Sequence, residues 1–299
     1  MSRAGTPAGR WHFPAGTCRS DPFAVQLTPP EGGLAYSSLR LLELRPGQEV
    51  TMRTGEEEFL VLPLAGACSV VADGQEIAVA GRRDVFSRVT DFAYVPRDAS
   101  MTVRSAVGGK FALPGARASR RLPARHGPAE GVPVEIRGSG QASRQVNNFC
   151  SPEAFETDRL VSVEVLTPAG NWSSYPPHKH DECRQGEAEL EEIYYFETGQ
   201  GPAGPGFGYQ RVYASSPARP IDVLAEVRTG DVVLVPHGYH GPSMAAPGYD
   251  LYYLNVLAGP ADERSMAFCD DPAHAWVRGS WAAQNVDPRL PMTGREEGE

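Results

Sequence analysis

Four residues of this chain could together hold a divalent metal. His178 and His180 flank Lys179 in the run Pro176-Pro177-His178-Lys179-His180; Glu192 follows twelve residues after His180, and His240 sixty residues after it. Side chains alternate along a strand, so imidazoles one residue apart share a face and Lys179 points the other way. A carboxylate and a third imidazole complete a three-nitrogen, one-oxygen set. That set suits zinc, manganese, iron or nickel and leaves positions open for water or substrate. His237 competes for the third nitrogen, but Pro236 and Gly238 bracket it in a turn, which favours His240. His12, His126 and His274 read as structural or surface residues.

The elements that must position these side chains are short strands. Residues 193–196 read as an aromatic strand starting just after Glu192, and residues 232–236 as an apolar strand leading into the turn before His240. Residues 160–166 and 251–257 read as two more, the first alternating apolar and polar. In the first half, residues 58–66 read as a strand ending in a turn. Residues 68–79 read as a hairpin across Asp73-Gly74, and residues 84–86 and 92–96 as further strands. The run Glu56-Glu57-Glu58 reads as a solvated loop edge. Helix is expected only around residues 151–155 and in the C-terminal tail. The two halves echo each other: Glu58 with Glu192, and Tyr94-Val95-Pro96 with Leu234-Val235-Pro236. The expected division is therefore a β-domain over 1–118, an Arg-, Pro- and Gly-rich linker over 119–143, and a second β-domain over 144–299.

Composition agrees with an all-β chain. Its 299 residues include 32 glycines and 27 prolines, which favours many turns over long helices, and 41% hydrophobic residues, enough for two cores. The net charge of −9 and the lack of a Lys/Arg-rich block argue against nucleic acid as a partner. No apolar run is long enough to span a bilayer. The five cysteines are scattered without a CxxC pair, and Met1 to Thr6 leads into no apolar run. The expectation is a reduced, soluble, cytoplasmic protein.

The pattern His178-x-His180, Glu192, Gly199, then Gly230, Pro236, Gly238, His240 resembles the two motifs of the cupin superfamily. It departs from the common form in two ways: the gap from His180 to Glu192 is longer, and Gly238 to His240 is one residue shorter. Both departures, with Tyr175-Pro176-Pro177-His178-Lys179-His180, Glu191-Glu192-Ile193-Tyr194-Tyr195, Gly208-Tyr209-Gln210-Arg211-Val212-Tyr213 and Gly248-Tyr249-Asp250-Leu251-Tyr252-Tyr253, look like the 5-deoxy-glucuronate isomerases of inositol catabolism. These are bicupins related to 4-deoxy-L-threo-5-hexosulose-uronate ketol-isomerase. The resemblance is specific over residues 144–281 and looser before them.

It implies two tandem cupin barrels and an aldose–ketose isomerisation of a small sugar acid, with one divalent transition metal (Zn, Mn or Fe) per chain held by His178, His180, Glu192 and His240. Tyr209 and Tyr253 are then candidates to shuttle the proton, and Arg211 is the first choice for the substrate carboxylate, because a guanidinium fork matches two oxygens. The first half has no histidine between His12 and His126. It is expected to be a metal-free cupin supporting the second by packing or oligomerisation, with a homo-oligomer one outcome. An iron-dependent cupin dioxygenase and a non-catalytic sugar-binding cupin are the alternatives. Oxygen consumption would mark the first, and a missing ligand or an added DNA-binding segment the second.

Overall fold

In the computed structural model, described for residues 10–293, strands dominate and the only α-helix among the described residues is Val277–Ser280. The opening residues Met1 to Thr6 lie outside the described residues. The second half is built from two facing sheets. A seven-stranded sheet carries Arg144–Asn148, Val161–Thr167, Leu251–Ala258, Glu191–Thr198 and Val232–Val235 side by side. A six-stranded sheet carries His178–Lys179 and Tyr239–Ala245. The first half is a nine-stranded sheet that folds around its own apolar interior, including Phe59, Val61, Val70, Met101, Val103 and Phe111.

Several expected elements take a different form. The strand beginning near Glu58 does not end at Gly66 but runs as Glu57–Ala72. Gly66 instead marks a register shift, with φ +88°, and a Cβ there would lie 2.4 Å from the Gly108 carbonyl oxygen. The hairpin across Asp73-Gly74 forms, both residues having positive φ. Residues 84–86 make a turn, fastened by Asp84 accepting from the Phe86 N–H. Residues 151–155 likewise turn without forming a helix. The stretch 119–143 is not a bare connection. Arg125–Gly127 pairs with Phe92–Val95 in the first half, and Val134–Arg137 pairs with Arg144–Asn148 in the second. The boundary expected at 118 is also crossed, because His12–Phe13 pairs with Val232 and Val233.

The outer face of the seven-stranded sheet does not meet water. Leu39, Leu41, Leu60, Leu62 and Tyr94 of the first half share one core with Ile193, Tyr195, Leu254 and Val256 of the second. This explains why Val161–Thr167 and Leu251–Ala258 are buried on both faces. Ser162 and Glu164, polar positions in an alternating strand, face the first half: Glu164 takes a bidentate bond from the buried Arg82.

Two carboxylates fasten the halves reciprocally. Glu58 is fully buried, not at a solvated edge; it accepts from the backbone N–H groups of Asp158, Arg159 and Leu160 and from the Tyr94 hydroxyl. Glu191 does the converse, accepting from the N–H groups of Ala35, Tyr36 and Ser37 and from the Ser37 hydroxyl. Each half thus supplies a carboxylate that orders the turn entering a strand of the other. A buried carboxylate is tolerated only with such full satisfaction. Replacing Glu58 or Glu191 by Gln puts an N–H donor against those donors and is expected to destabilise the chain by about 2–4 kcal/mol. The same change at exposed Glu56 should cost less than about 0.5 kcal/mol. Urea unfolding midpoints check both.

Candidate metal centre

Alternation on the strands places the site. His178 stands directly opposite His240 across an antiparallel pair, and His180 follows as that short strand ends. From the facing sheet, Glu192 and Tyr194 on one strand alternate with the buried outward residues Glu191, Ile193 and Tyr195, and so point inward. Glu192 pairs with Val235, the residue before Pro236, which fixes the carboxylate level with the turn that delivers His240.

The ligand atoms of His178, His180 and His240 all lie within 4.8 Å of one another. Glu192 joins them through Oε2, 3.1 Å from Nε2 of both His180 and His240. His240 is fully buried, and His180 and Glu192 nearly so. Each Nδ1 faces a backbone carbonyl: Leu190 at 3.0 Å for His180, Pro176 at 3.4 Å for His178 and Gly238 at 3.4 Å for His240. Each Nδ1 thus faces a hydrogen-bond acceptor and each Nε2 is turned toward the centre, the orientation in which Nε2 can ligate a metal. The Nε2 of His240, although near Glu192, has no properly directed hydrogen bond. An orphaned nitrogen, two convergent imidazoles and a buried carboxylate fit a divalent transition metal.

The electrostatics agree. Burial alone would raise the Glu192 carboxyl, but the His240 and His180 imidazoles outweigh it and hold it down at about 2. Burial, with His240 and His180 beside it, keeps His178 well below its usual value and therefore neutral. Burial works against a charge on His180, but its hydrogen bond to Glu192 prevails and raises it.

The centre opens into a pocket, part of it open to solvent. Alternate residues of the seven-stranded sheet line it: Arg144 and Val146, Val163 and Val165, Tyr253, Asn255 and Leu257. Phe268 packs on His178 at the mouth, ring centroids 4.7 Å apart. Tyr253 is buried, and its hydroxyl lies 3.0 Å from the Ser174 hydroxyl, which lies 3.2 Å from that of Tyr194.

Of the expected site residues, the structure brings together His178, His180, Glu192, His240 and Tyr253. It does not bring Arg211 or Tyr209 to them. On Gly208–Tyr213 the inward residues are Gly208, Gln210 and Val212, all buried. Arg211 points outward, bound to Asp222 at 2.5 Å and to the Val212 and Val223 carbonyls. Tyr209 shares that outer face and packs edge-on to Phe207. Lys179 is buried on the side away from the centre, with Nζ 2.8 Å from Asp181 and 2.7 Å from Glu187. Arg144, Arg137 and Arg278 line the pocket, and none of them was among the expected site residues.

The KduI/IolB family profile matches residues 13–277. The chain belongs to the KduI/IolB family. It is 41% identical over 259 residues to the 5-deoxy-glucuronate isomerase of Geobacillus kaustophilus (strain HTA426), covering 86% of this chain and 91% of the relative. To that of Bacillus subtilis (strain 168) it is 36% identical over 255 residues, covering 84% and 91%. An IolB-like protein of Salmonella typhimurium LT2 superposes with a TM-score of 0.81 at 33% identity, over 89% of this chain and 98% of that one. Oxalate decarboxylase of Lactobacillus farciminis superposes with a TM-score of 0.61 at 12% identity, over 89% and 90%, a likeness of fold alone. The KduI/IolB chain is thus an all-β bicupin.

Purified protein is expected to carry about one divalent metal per chain, and His240→Ala or Glu192→Gln to weaken its binding at least about tenfold. Elemental analysis after dialysis against graded chelator checks this. A content near two per chain, or full retention in both variants, contradicts the assignment.

Proposed function

We propose that this KduI/IolB-family isomerase converts 5-deoxy-D-glucuronate to 5-dehydro-2-deoxy-D-gluconate with a divalent metal held by His178, His180, Glu192 and His240. What carries the reading is the convergence of three imidazoles and one buried carboxylate, with His178, His180 and Glu192 lining a single pocket. The pocket lies in a chain 41% identical to a 5-deoxy-glucuronate isomerase.

In the reaction a proton leaves C2, beside the aldehyde, and a proton is delivered to C1; a second passes from the C2 oxygen to the C1 oxygen. The metal would supply Lewis-acid polarisation of the two oxygens between which charge moves. The chain's own groups do the rest. Apolar walls from Val146, Val163, Val165 and Leu257 exclude water and strengthen each polar contact inside. Burial raises the pKa of Tyr253, so at neutral pH it keeps its proton. It therefore serves as a donor to oxygen, not as a resting base, and Ser174 and Tyr194 extend its hydroxyl chain as a relay. No helix among the described residues is long and apolar enough to cross a membrane.

Incubation with 5-deoxy-D-glucuronate, followed by NMR, should show ketose formation that stops with chelator and returns with added metal. No turnover by metal-loaded protein overturns the reading. Tyr253→Phe should lower kcat by about 10²-fold with metal content unchanged, in the range for loss of one proton-transfer group; an unchanged kcat removes Tyr253 from the reaction.

A further inference from the structure

Three arginines line the pocket, and two are already neutralised. Arg278 makes a bidentate pair with Asp270, at 2.5 and 2.7 Å. Arg137 does the same with Glu135, at 2.9 and 2.6 Å. Arg144 differs from both. It is 5% exposed and has no ion pair with any Asp or Glu among the described residues. Its hydrogen bonds run to the Ala142 and Tyr175 carbonyls, both from Nη1, and its guanidinium lies over the Trp281 ring, 5.8 Å from the centroid. Burial draws its pKa down to about 10, which still leaves it cationic at neutral pH.

A buried cation without an ion-pair partner is unfavourable for the folded chain taken by itself. It is accounted for when a ligand supplies the missing anion. The planar fork can meet two carboxylate oxygens at once, and desolvation in the pocket strengthens such a pair. Alternation aims the side chain correctly. Arg144 and Val146 share a face, Val146 pairs with Val165, and Val165 pairs with Tyr253, so Arg144 belongs to the same wall as Tyr253.

We infer that Arg144 is the residue that binds the carboxylate of a uronate substrate, holding it by that end so that the aldehyde end faces His178, His180 and Glu192. This rests on the sugar-acid reading of the pocket and replaces the Arg211 expectation. Arg144 selects acidic over neutral sugars, while Arg137 and Arg278 are engaged by Glu135 and Asp270 and offer no free fork.

The test uses metal-loaded full-length wild type, Arg144→Met, Arg144→Lys and Arg211→Met. Two sugars are assayed: 5-deoxy-D-glucuronate, and 5-deoxy-D-glucose, which carries a hydroxymethyl group in place of the carboxylate. Binding of the borohydride-reduced uronate, which cannot isomerise, is measured by calorimetry. Arg144→Met should cut kcat/KM for the uronate by about 10²–10³-fold and weaken binding of the reduced uronate by at least about thirtyfold. It should change kcat/KM for the neutral sugar by less than about threefold, leave metal content intact and keep or raise Tm, because a buried unpaired charge has gone. Arg144→Lys, which keeps the charge but not the fork, should lose about tenfold on the uronate alone. Arg211→Met should behave as wild type.

An equal loss on both sugars, or a lowered Tm with weaker metal retention, means a structural arginine and overturns the inference. If Arg144→Met does not fold, the Lys variant decides instead, by whether its loss is confined to the uronate or shared by both sugars. Turnover by wild type that Arg144→Met matches sinks the inference and leaves the isomerase reading standing. Arg144-dependent binding of the reduced uronate without turnover does the reverse, and neither binding nor turnover by wild type sinks both.

Discussion

Two consecutive carboxylates, Glu191 and Glu192, are both buried and point to opposite faces of one strand. Most of the molecule is arranged to make that tolerable. Each would cost several kcal/mol if left unpaired. On the outer face, Glu191 is satisfied by three backbone N–H groups and a hydroxyl of the first half, so the first half must be docked for the strand to form as it does. On the inner face, Glu192 needs favourable partners, and Nε2 of His180 and of His240 is brought within 3.1 Å of it. One strand therefore links the assembly of the halves to the composition of the site.

The same arrangement in the first half shows what turns a barrel into a site. Phe59 pairs with Val95 as Glu192 pairs with Val235, each just before a proline. Glu58 is then the counterpart of Glu191, and both fasten the neighbouring half. Phe59 is the counterpart of Glu192, and it lies in an apolar interior. The two barrels share a docking device and differ in whether the next residue is a carboxylate or a phenyl ring.

The clustering of His178, His180, Glu192 and His240 was legible because it depends on local rules: period-two alternation for His178 and His180, and turn residues that place His240. Most strands were legible for the same reason. What was not legible depends on which neighbour a face meets. The echo between halves aligned Glu58 with Glu192, one residue out of register, and on a strand that reverses the face. It hid the role of Glu58, which a run of three glutamates also disguises as a solvated edge. Likewise, alternation says that Gln210 and Arg211 face opposite ways but not which is inside. Only the pairing with Tyr239–Ala245 puts Gln210 inward, where it meets Ser243. The position of Arg144 follows from strand pairing, and its lack of an acidic partner is a property of the folded pocket that no local pattern carries.

The proposed chemistry places a single divalent metal inside the second barrel. Anomalous diffraction from manganese-loaded crystals tests this most directly. The expected result is one strong peak per chain, coordinated by Nε2 of His178, His180 and His240 and by a Glu192 oxygen, with none in the first barrel. A peak elsewhere, or no peak between these four side chains at full loading, would contradict it.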